Sequence, residues 1–187
     1  MGEPTIFIRL TGCNLRCRFC DTKYAWSGGR EYHIQSVMEK IHRLRSSYPA
    51  DWVCLTGGEP FLQKMETLVR ILRKEGLKIQ VETNGTIYRP VRFDWTTLSP
   101  KPEDYIFQPE FIPKAKEVKL VVTKDLTLDT IRNLREAFPG RTPLLLQPQS
   151  NRAGSLARAR SLLRQAVKAD LHHVRLSIQM HRVFSFR

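Results

Sequence analysis

The sequence predicts an α/β fold: a mostly parallel sheet, an incomplete barrel rather than a closed one, with helices outside and little helix beyond them. Three observations predict it. Short β-branched apolar segments alternate with amphipathic stretches from end to end. The stretches between strands are long enough for the crossover helices that parallel strands require. No low-complexity linker or short repeat divides the chain, so its 187 residues are expected to form one domain, 1–187.

The elements follow in order. Residues 4–10 (PTIFIRL) read as a buried strand, and a polar, Gly-containing loop runs from Thr11 to about Arg30. Ile34, Val37, Met38, Ile41 and Leu44 recur at helical spacing on one face. Residues 52–56 (WVCLT) form a second strand, stopped by Gly57-Gly58. Leu62, Met65, Leu68, Val69 and Leu72 mark a second helix, which Gly76 ends. Strands are expected at 78–83, 95–99 and 117–123. A helix carrying Leu128, Ile131, Leu134 and Phe138 comes next, then a strand at 143–147. A helix through Leu156, Leu162, Leu163 and Val167 precedes a last strand at 173–179.

Right-handed crossovers place the loops that follow such strands on one rim, where the active sites of parallel sheets gather. The chemistry-bearing peptides obey that expectation. The cysteine loop follows the first strand, TGGEP the second and ETNG the third; SPK follows the fourth and QPQS the sixth.

Lys+Arg exceed Asp+Glu by 31 − 18, a net charge of +13. That excess invites a nucleic-acid reading. The basic residues are scattered, however, and many (Arg43, Arg45, Arg70, Arg73, Lys74) fall on the outer faces of predicted helices. No nucleic-acid module signature accompanies them, so a solvated surface is the better reading. No apolar run approaches the ~18 residues of a membrane span, and the amino terminus lacks the basic start and apolar stretch of a secretory signal. The expectation is a cytoplasmic protein without a membrane partner.

Three of the four cysteines lie within eight residues, Cys13-x3-Cys17-x2-Cys20; Cys54 stands alone in an apolar strand and reads as a small buried hydrophobe. Thiolates are soft ligands suited to iron–sulfur clusters and to zinc. Structural zinc takes four ligands, commonly as Cys-x2-Cys pairs, so a zinc site here needs a fourth ligand such as His33. A 4Fe-4S cubane on three cysteines leaves one iron open for a chelating molecule. Glycines 57 and 58 would let backbone approach a ligand closely.

Cys-x3-Cys-x2-Cys after a first strand and Gly-Gly-Glu-Pro after a second resemble the radical S-adenosylmethionine (SAM) superfamily. The blocks PTIFIRLTGCNLRCRFCDTKYAW, LTGGEP, VETNGT, LSPKP, VKLVV, LQPQS and VRLSIQMHR resemble, in order, those of the 7-carboxy-7-deazaguanine synthases, from Pro4 to the carboxyl end. The resemblance implies a radical SAM-type partial barrel. It implies conversion of 6-carboxy-5,6,7,8-tetrahydropterin into 7-carboxy-7-deazaguanine with loss of ammonia, on the route to queuosine. SAM, a 4Fe-4S cluster and magnesium are the cofactors. The partners are the pterin, an external electron donor of flavodoxin or ferredoxin type and a second copy of the chain.

Residue by residue, the resemblance implies that Cys13, Cys17 and Cys20 hold the cluster and that the Thr22 hydroxyl holds magnesium, a hard cation that keeps water or substrate in its shell. Read alone, Thr22 is a turn hydroxyl bonding its own backbone. Phe19, Cys20, Asp21, Gly58, Ser99, Pro100, Lys101, Gln147, Pro148, Gln149 and Ser150 would surround SAM. Arg9, Thr56, His181 and the terminal carboxylate of Arg187 would hold the substrate, with Arg9 gripping a carboxylate bidentately. His172 and His173 are expected to be exposed helix-end residues. No catalytic side chain is implied beyond cluster and cofactor.

The chain departs from the family in two places. It begins Met1-Gly2-Glu3-Pro4, without the family's Gln-Gly-Glu-Gly substrate-binding peptide before the first strand, and it ends in Arg187 where the family commonly ends in proline. Two other readings stay open: an activating enzyme that raises a glycyl radical on a partner protein, and a basic nucleic-acid-binding protein with a structural metal.

Overall fold

A computed structural model describes residues 3–102 and 104–184. The chain forms two compact units. One contains the residues up to Thr83 together with Arg89–Thr96; the other contains Asn84–Tyr88 and the chain from Thr97 on. The hydrogen-bonded strand order is the sequence order, β1 to β7, and it is open. Every register that can be described is parallel.

The first unit is built as β1 (Thr5–Leu10), α1 (Ile34–Ser47), β2 (Trp52–Gly57), α2 (Glu66–Lys74) and β3 (Lys78–Thr83). Residues paired in a parallel register share a face, and successive residues alternate faces. Val53, Leu55, Ile79 and Val81 therefore lie on one face, and all four are fully buried. The helices bury Met38 and Ile41 from α1 and Val69 and Leu72 from α2, and α2 packs on β3. The opposite face carries Phe7, Arg9, Cys54, Thr56, Gln80 and Glu82.

The second unit follows the same plan. Thr97 and Leu98, the part of β4 (Trp95–Leu98) that belongs to this unit, pair with β5 (Glu117–Val122); α3 (Leu128–Ala137), β6 (Leu144–Pro148), α4 (Ala153–Lys168), β7 (Val174–Leu176) and α5 (Met180–Val183) follow. Val118, Leu120, Leu144 and Leu146 form the apolar face, with Ile131 and Leu134 of α3 and Ala159, Leu162 and Ala166 of α4 buried in the same core. Two small alanines let α4 approach β5, β6 and β7 closely. Thr127 caps α3 by accepting from the Thr130 N–H at 3.1 Å. Arg135 closes the other end, donating to the carbonyls of Thr142, Phe138 and Pro139.

Several sequence expectations move. The second helix starts at Glu66, not near Leu62; Leu62 ends a 3-10 turn, Pro60–Leu62, and is 40% exposed. Leu44 is exposed while Arg45 is half-buried, and Leu156 and Val167 are exposed while Ala159 and Ala166 take the core positions. The last strand shrinks to Val174–Leu176 and a short helix, α5, follows it unforeseen. The loops from β3 to β4 and from β4 to β5 contain no α-helix among the described residues, which accounts for the small helix content.

Tyr105 is buried in the second unit at a left-handed φ of +54, and its hydroxyl has no hydrogen-bond partner among the described residues. Burial, reinforced by the Asp125 carboxylate and opposed by Arg158, pushes its pKa up to about 12. The folded state thus holds this proton more tightly than the unfolded chain, whose tyrosine titrates near 10.0. The contribution is complete below the unfolded value and is lost as pH rises from there toward the folded one. Tyr105→Phe is expected to lose less stability than the parent across that window, read as urea midpoints on either side of pH 10.0.

Candidate active site

The cysteine loop leaves β1 through Gly12, whose backbone sits at φ +99. The Gly12 N–H donates to the Ala25 carbonyl at 2.9 Å, and the Gly12 carbonyl accepts from the Glu59 N–H at 2.7 Å. The Gly58 N–H donates to the Leu10 carbonyl at 2.9 Å, and Gln63 Nε2 donates to the Thr11 carbonyl at 2.8 Å. The Gly-Gly-Glu-Pro peptide is thus stitched to the root of the cysteine loop. A Cβ at Gly58 would run into the Gly12 carbonyl oxygen, so glycine is required there for a physical reason.

Cys13, Cys17 and Cys20 are half-buried on this loop and none is in a disulfide. The Cys20 N–H donates to the Cys17 carbonyl at 3.0 Å, and Arg16 takes a left-handed φ of +46 to turn the chain between the first two cysteines. The Thr22 N–H points at Cys20 Sγ at 3.4 Å, the kind of donor that tunes a sulfur ligand. Among the described residues no three Cys, His, Asp or Glu side chains, the cysteines included, are gathered for a single ion. A cubane takes one thiolate per iron, so its ligands need not converge on one point. Three unbridged, part-exposed thiols on one loop suit that donor set.

Glu59 is fully buried. Its Oε1 accepts from the Phe61 N–H at 3.0 Å and from Thr83 Oγ1 at 2.7 Å. The carboxylate therefore ties the end of β2 to the end of β3, a role the sequence motif alone does not specify. Phe19 is half-buried and Asp21 exposed; Thr22 is half-buried and its hydroxyl donates to Asp21 Oδ1 at 2.9 Å.

Arg9 and Thr56 are register partners on the polar face of this unit. Arg9 is exposed, with its guanidinium 5.9 Å from the centroid of the Tyr24 ring; Thr56 is buried. Tyr24, Gln80 and Glu82 escaped the sequence reading. The signal for the last two was present in KIQVET, where polar residues alternate with buried apolar ones.

In the second unit, Ser99 and Lys101 come together. Lys101 Nζ donates to Ser99 Oγ at 2.6 Å, and Ser99 Oγ donates to the Lys119 carbonyl at 2.7 Å. Pro100 and Pro148 are buried, and Gln147, Gln149 and Ser150 half-buried. The Gln149 N–H donates to Ser155 Oγ, which donates to the Val122 carbonyl, both at 2.6 Å. Ser150 and Asn151 are left-handed, at φ +51 and +52. Asn151 then exchanges two hydrogen bonds with the backbone of Gln179, at 3.2 and 3.3 Å, fixing the start of α5 against the loop after β6. His181 lies in α5, but its side chain and all of Arg187 lie outside the described residues. His172 and His173 are exposed, as expected, and Cys54 is buried. No helix among the described residues is long and apolar enough to cross a membrane.

The radical SAM superfamily description matches residues 7–180. The 7-carboxy-7-deazaguanine synthase of Aquifex aeolicus is 33% identical over 196 residues, covering 100% of this chain and 87% of that protein. The Synechocystis sp. protein of the same name is 36% identical, covering 79% of this chain and 70% of its own. Among solved structures, QueE from Escherichia coli superposes with a TM-score of 0.73 at 28% identity, covering 95% of this chain and 86% of that one. Streptococcus suis SuiB shares the fold alone, at a TM-score of 0.65 and 17% identity over 94% of this chain and 50% of its own. With its cysteine loop and Gly-Gly-Glu-Pro peptide joined at Gly12, the chain belongs to the radical SAM superfamily and, within it, to the 7-carboxy-7-deazaguanine synthases.

Proposed function

We propose that this chain contracts the ring of 6-carboxy-5,6,7,8-tetrahydropterin to give 7-carboxy-7-deazaguanine and ammonia. The observation that carries the reading is the clamp at Gly12, which fixes three half-buried thiols beside the Gly-Gly-Glu-Pro peptide in a chain related along its whole length to a synthase of that name. When bound, the 4Fe-4S cluster and SAM supply a carbon-centred radical able to take hydrogen from a C–H bond.

The chain's own groups bind and orient. Cys13, Cys17 and Cys20 hold the cluster. Gly58, held against Gly12 by the clamp, offers backbone to SAM, and Phe19, Cys20 and Asp21 offer main chain beside it. Ser99, Pro100, Lys101, Gln147, Pro148, Gln149 and Ser150 complete the cofactor's surroundings. Ser99 and Lys101 are already held by the bonds described above.

Arg9, oriented by the Tyr24 ring, pairs with the substrate carboxylate, and Thr56 supplies a hydroxyl beside it. His181 and the terminal carboxylate of Arg187 are further substrate contacts. Thr22 supplies one oxygen to magnesium, which the neighbouring Asp21 carboxylate attracts. An outside carrier of flavodoxin or ferredoxin type delivers the electron, and the working form is a cytoplasmic homodimer.

The test is anaerobic turnover of the iron-loaded protein with SAM, a reductant and the carboxy-tetrahydropterin, with the deazapurine read by mass spectrometry. A cluster-replete protein that makes none overturns the substrate assignment. Cys17→Ala is expected to abolish turnover and to lower bound iron, read by iron and sulfide analysis and the visible absorption of the cluster. At Glu59, the Ala variant is expected to lose about 1–3 kcal/mol of stability, because two buried donors lose their acceptor. Glu59→Gln keeps an acceptor oxygen and should lose less; equal denaturation midpoints for the two variants would refute the bonding role. Thr22→Val is expected to lower the response of turnover to added magnesium while leaving iron content unchanged.

A further inference from the structure

We propose that Tyr105 is a positioning residue for SAM: its hydroxyl and the Nε of Arg158 share one buried water, which locks the main chain of Lys101 to α4. The inference rests on the cofactor reading of Ser99 and Lys101 above and adds the residue that sets them.

Three observations carry it. First, Tyr105 holds a backbone that its residue type disfavours. Its φ is +54, in the left-handed region where a bulky side chain is strained and glycine or asparagine is usual. The side chain is buried, and its hydroxyl has no hydrogen-bond partner among the described residues. A strained backbone and an unpaired buried hydroxyl both weaken the fold locally. Phenylalanine fills the same space without the second cost, so packing does not explain the hydroxyl.

Second, a matching donor stands in the same neighbourhood. Arg158 Nη2 donates to the carbonyls of Lys124 at 2.9 Å and Leu126 at 2.6 Å. Its Nε, however, is buried and has no partner among the described residues. The Arg158 charge acts on the Tyr105 hydroxyl, and so does the Asp125 carboxylate. Two orphaned donors call for one acceptor. An anion would be repelled by Asp125, whereas a water is neutral and accepts from both donors. Arg158 also lines an open groove of about 470 Å³ with Thr127, Leu128, Ser161 and Gln165, so solvent lies beside its guanidinium.

Third, Tyr105 is joined to the residues assigned to SAM. Its N–H donates to the Lys101 carbonyl at 2.9 Å. Lys101 Nζ in turn donates to Ser99 Oγ, which donates to the Lys119 carbonyl. Arg158 belongs to α4, whose Ser155 bridges the Gln149 N–H to the Val122 carbonyl. Tying Tyr105 to Arg158 therefore fixes the segments that follow β4, β5 and β6 against one another, all within the second unit. Tyr105 acts through Lys101 and Ser99 and does not itself touch the cofactor. No bond or proton changes in this role.

The experiment measures SAM binding to the iron-loaded protein in two ways. One is equilibrium dialysis; the other is the change that SAM causes in the electron paramagnetic resonance spectrum of the reduced cluster. The parent, Tyr105→Phe, Arg158→Lys and the double variant are compared with Ile131→Val, which trims the fully buried core of the same unit. Each of the two single variants is expected to weaken SAM binding roughly two- to ten-fold, the range one hydrogen bond spans, with iron content unchanged. The double variant should bind as weakly as the weaker single variant and no more weakly, because both substitutions remove the same link. Ile131→Val is expected to lower the denaturation midpoint and to keep the parent's SAM affinity, which separates positioning from stability. Should Arg158→Lys fail to fold, Arg158→Gln takes its place, since it keeps a donor for the carbonyls and lacks Nε.

Parent-like SAM affinity in Tyr105→Phe overturns the proposal. So does a double variant whose loss is the product of the two single losses, or an equal loss of affinity in Ile131→Val. A parent that holds iron and binds SAM, with every variant equal to it, leaves the cofactor reading standing and removes only the role of Tyr105. A parent that holds iron and binds no SAM removes both.

Discussion

The peptide unit of Gly12 is the constraint on which the first unit's chemistry depends. Its N–H closes the cysteine loop onto Ala25, and its carbonyl receives the Glu59 N–H. Two loops that follow different strands are thereby held in one register, and the contact is backbone to backbone, so no side chain sets its length. That explains why both partners are glycine-rich. Gly12 adopts a φ that L side chains rarely take, and a Cβ on Gly58 would occupy the place of the Gly12 oxygen. The clamp is supported from behind by Glu59, buried and accepting from Phe61 and Thr83. A fully buried carboxylate would be costly alone; held by two donors, it turns β2 and β3 into a rigid floor.

Most of this was legible in the residues because it rests on period and punctuation. Strands read correctly wherever β-branched residues alternate with polar ones, as in KIQVET and EVKLVV, whose predicted and observed limits nearly coincide. Sequence and structure part where an apolar side chain is not buried. Leu44, Leu62, Leu156 and Val167 fit a helical stripe on paper yet are exposed. Ala159 and Ala166, too small to stand out in a hydropathy pattern, hold the core positions that let α4 close on the sheet. The late start of α2 has its own cause: Pro60 begins a 3-10 turn whose N-cap is Glu59, and the chain is committed to that turn before a helix can form.

The candidate site was legible in its ligands and opaque in its supports. Cysteine spacing identifies thiolates without structure, because softness and number are properties of residue type. What orients them is not a property of type. Tyr24 beside Arg9, Ser155 bridging Gln149 to β5, and Asn151 bound to Gln179 are contacts between residues distant in sequence or unremarkable in composition. The faces of the strands were readable in principle. In each unit one face is apolar and helix-covered while the other carries Arg9, Thr56, Gln80 and Glu82, or Thr97, Glu117, Lys119 and Gln147. The alternation announces two differently solvated faces, and only the register decides which polar residues become neighbours.

Composition supplies the last step. A net charge of +13 looks like the footprint of a polyanion when counted over the whole chain, but charge acts locally within about a Debye length of roughly 8–10 Å. Arg73 is matched by Asp94, Arg132 by Asp129, and Arg135 and Arg158 donate to backbone carbonyls at loop closures. Those cations are engaged within the chain itself. The cysteine loop differs because Arg16 and Arg18 have no such partner among the described residues and are exposed beside the half-buried thiols. Placing charge there has a cost, since Arg16 holds a left-handed backbone that favours glycine or asparagine. A glycine at that position would relieve the backbone and erase the charge together. Arg16 therefore combines a strained backbone with a guanidinium that no described residue engages, a distinction that a charge count over the whole chain cannot make.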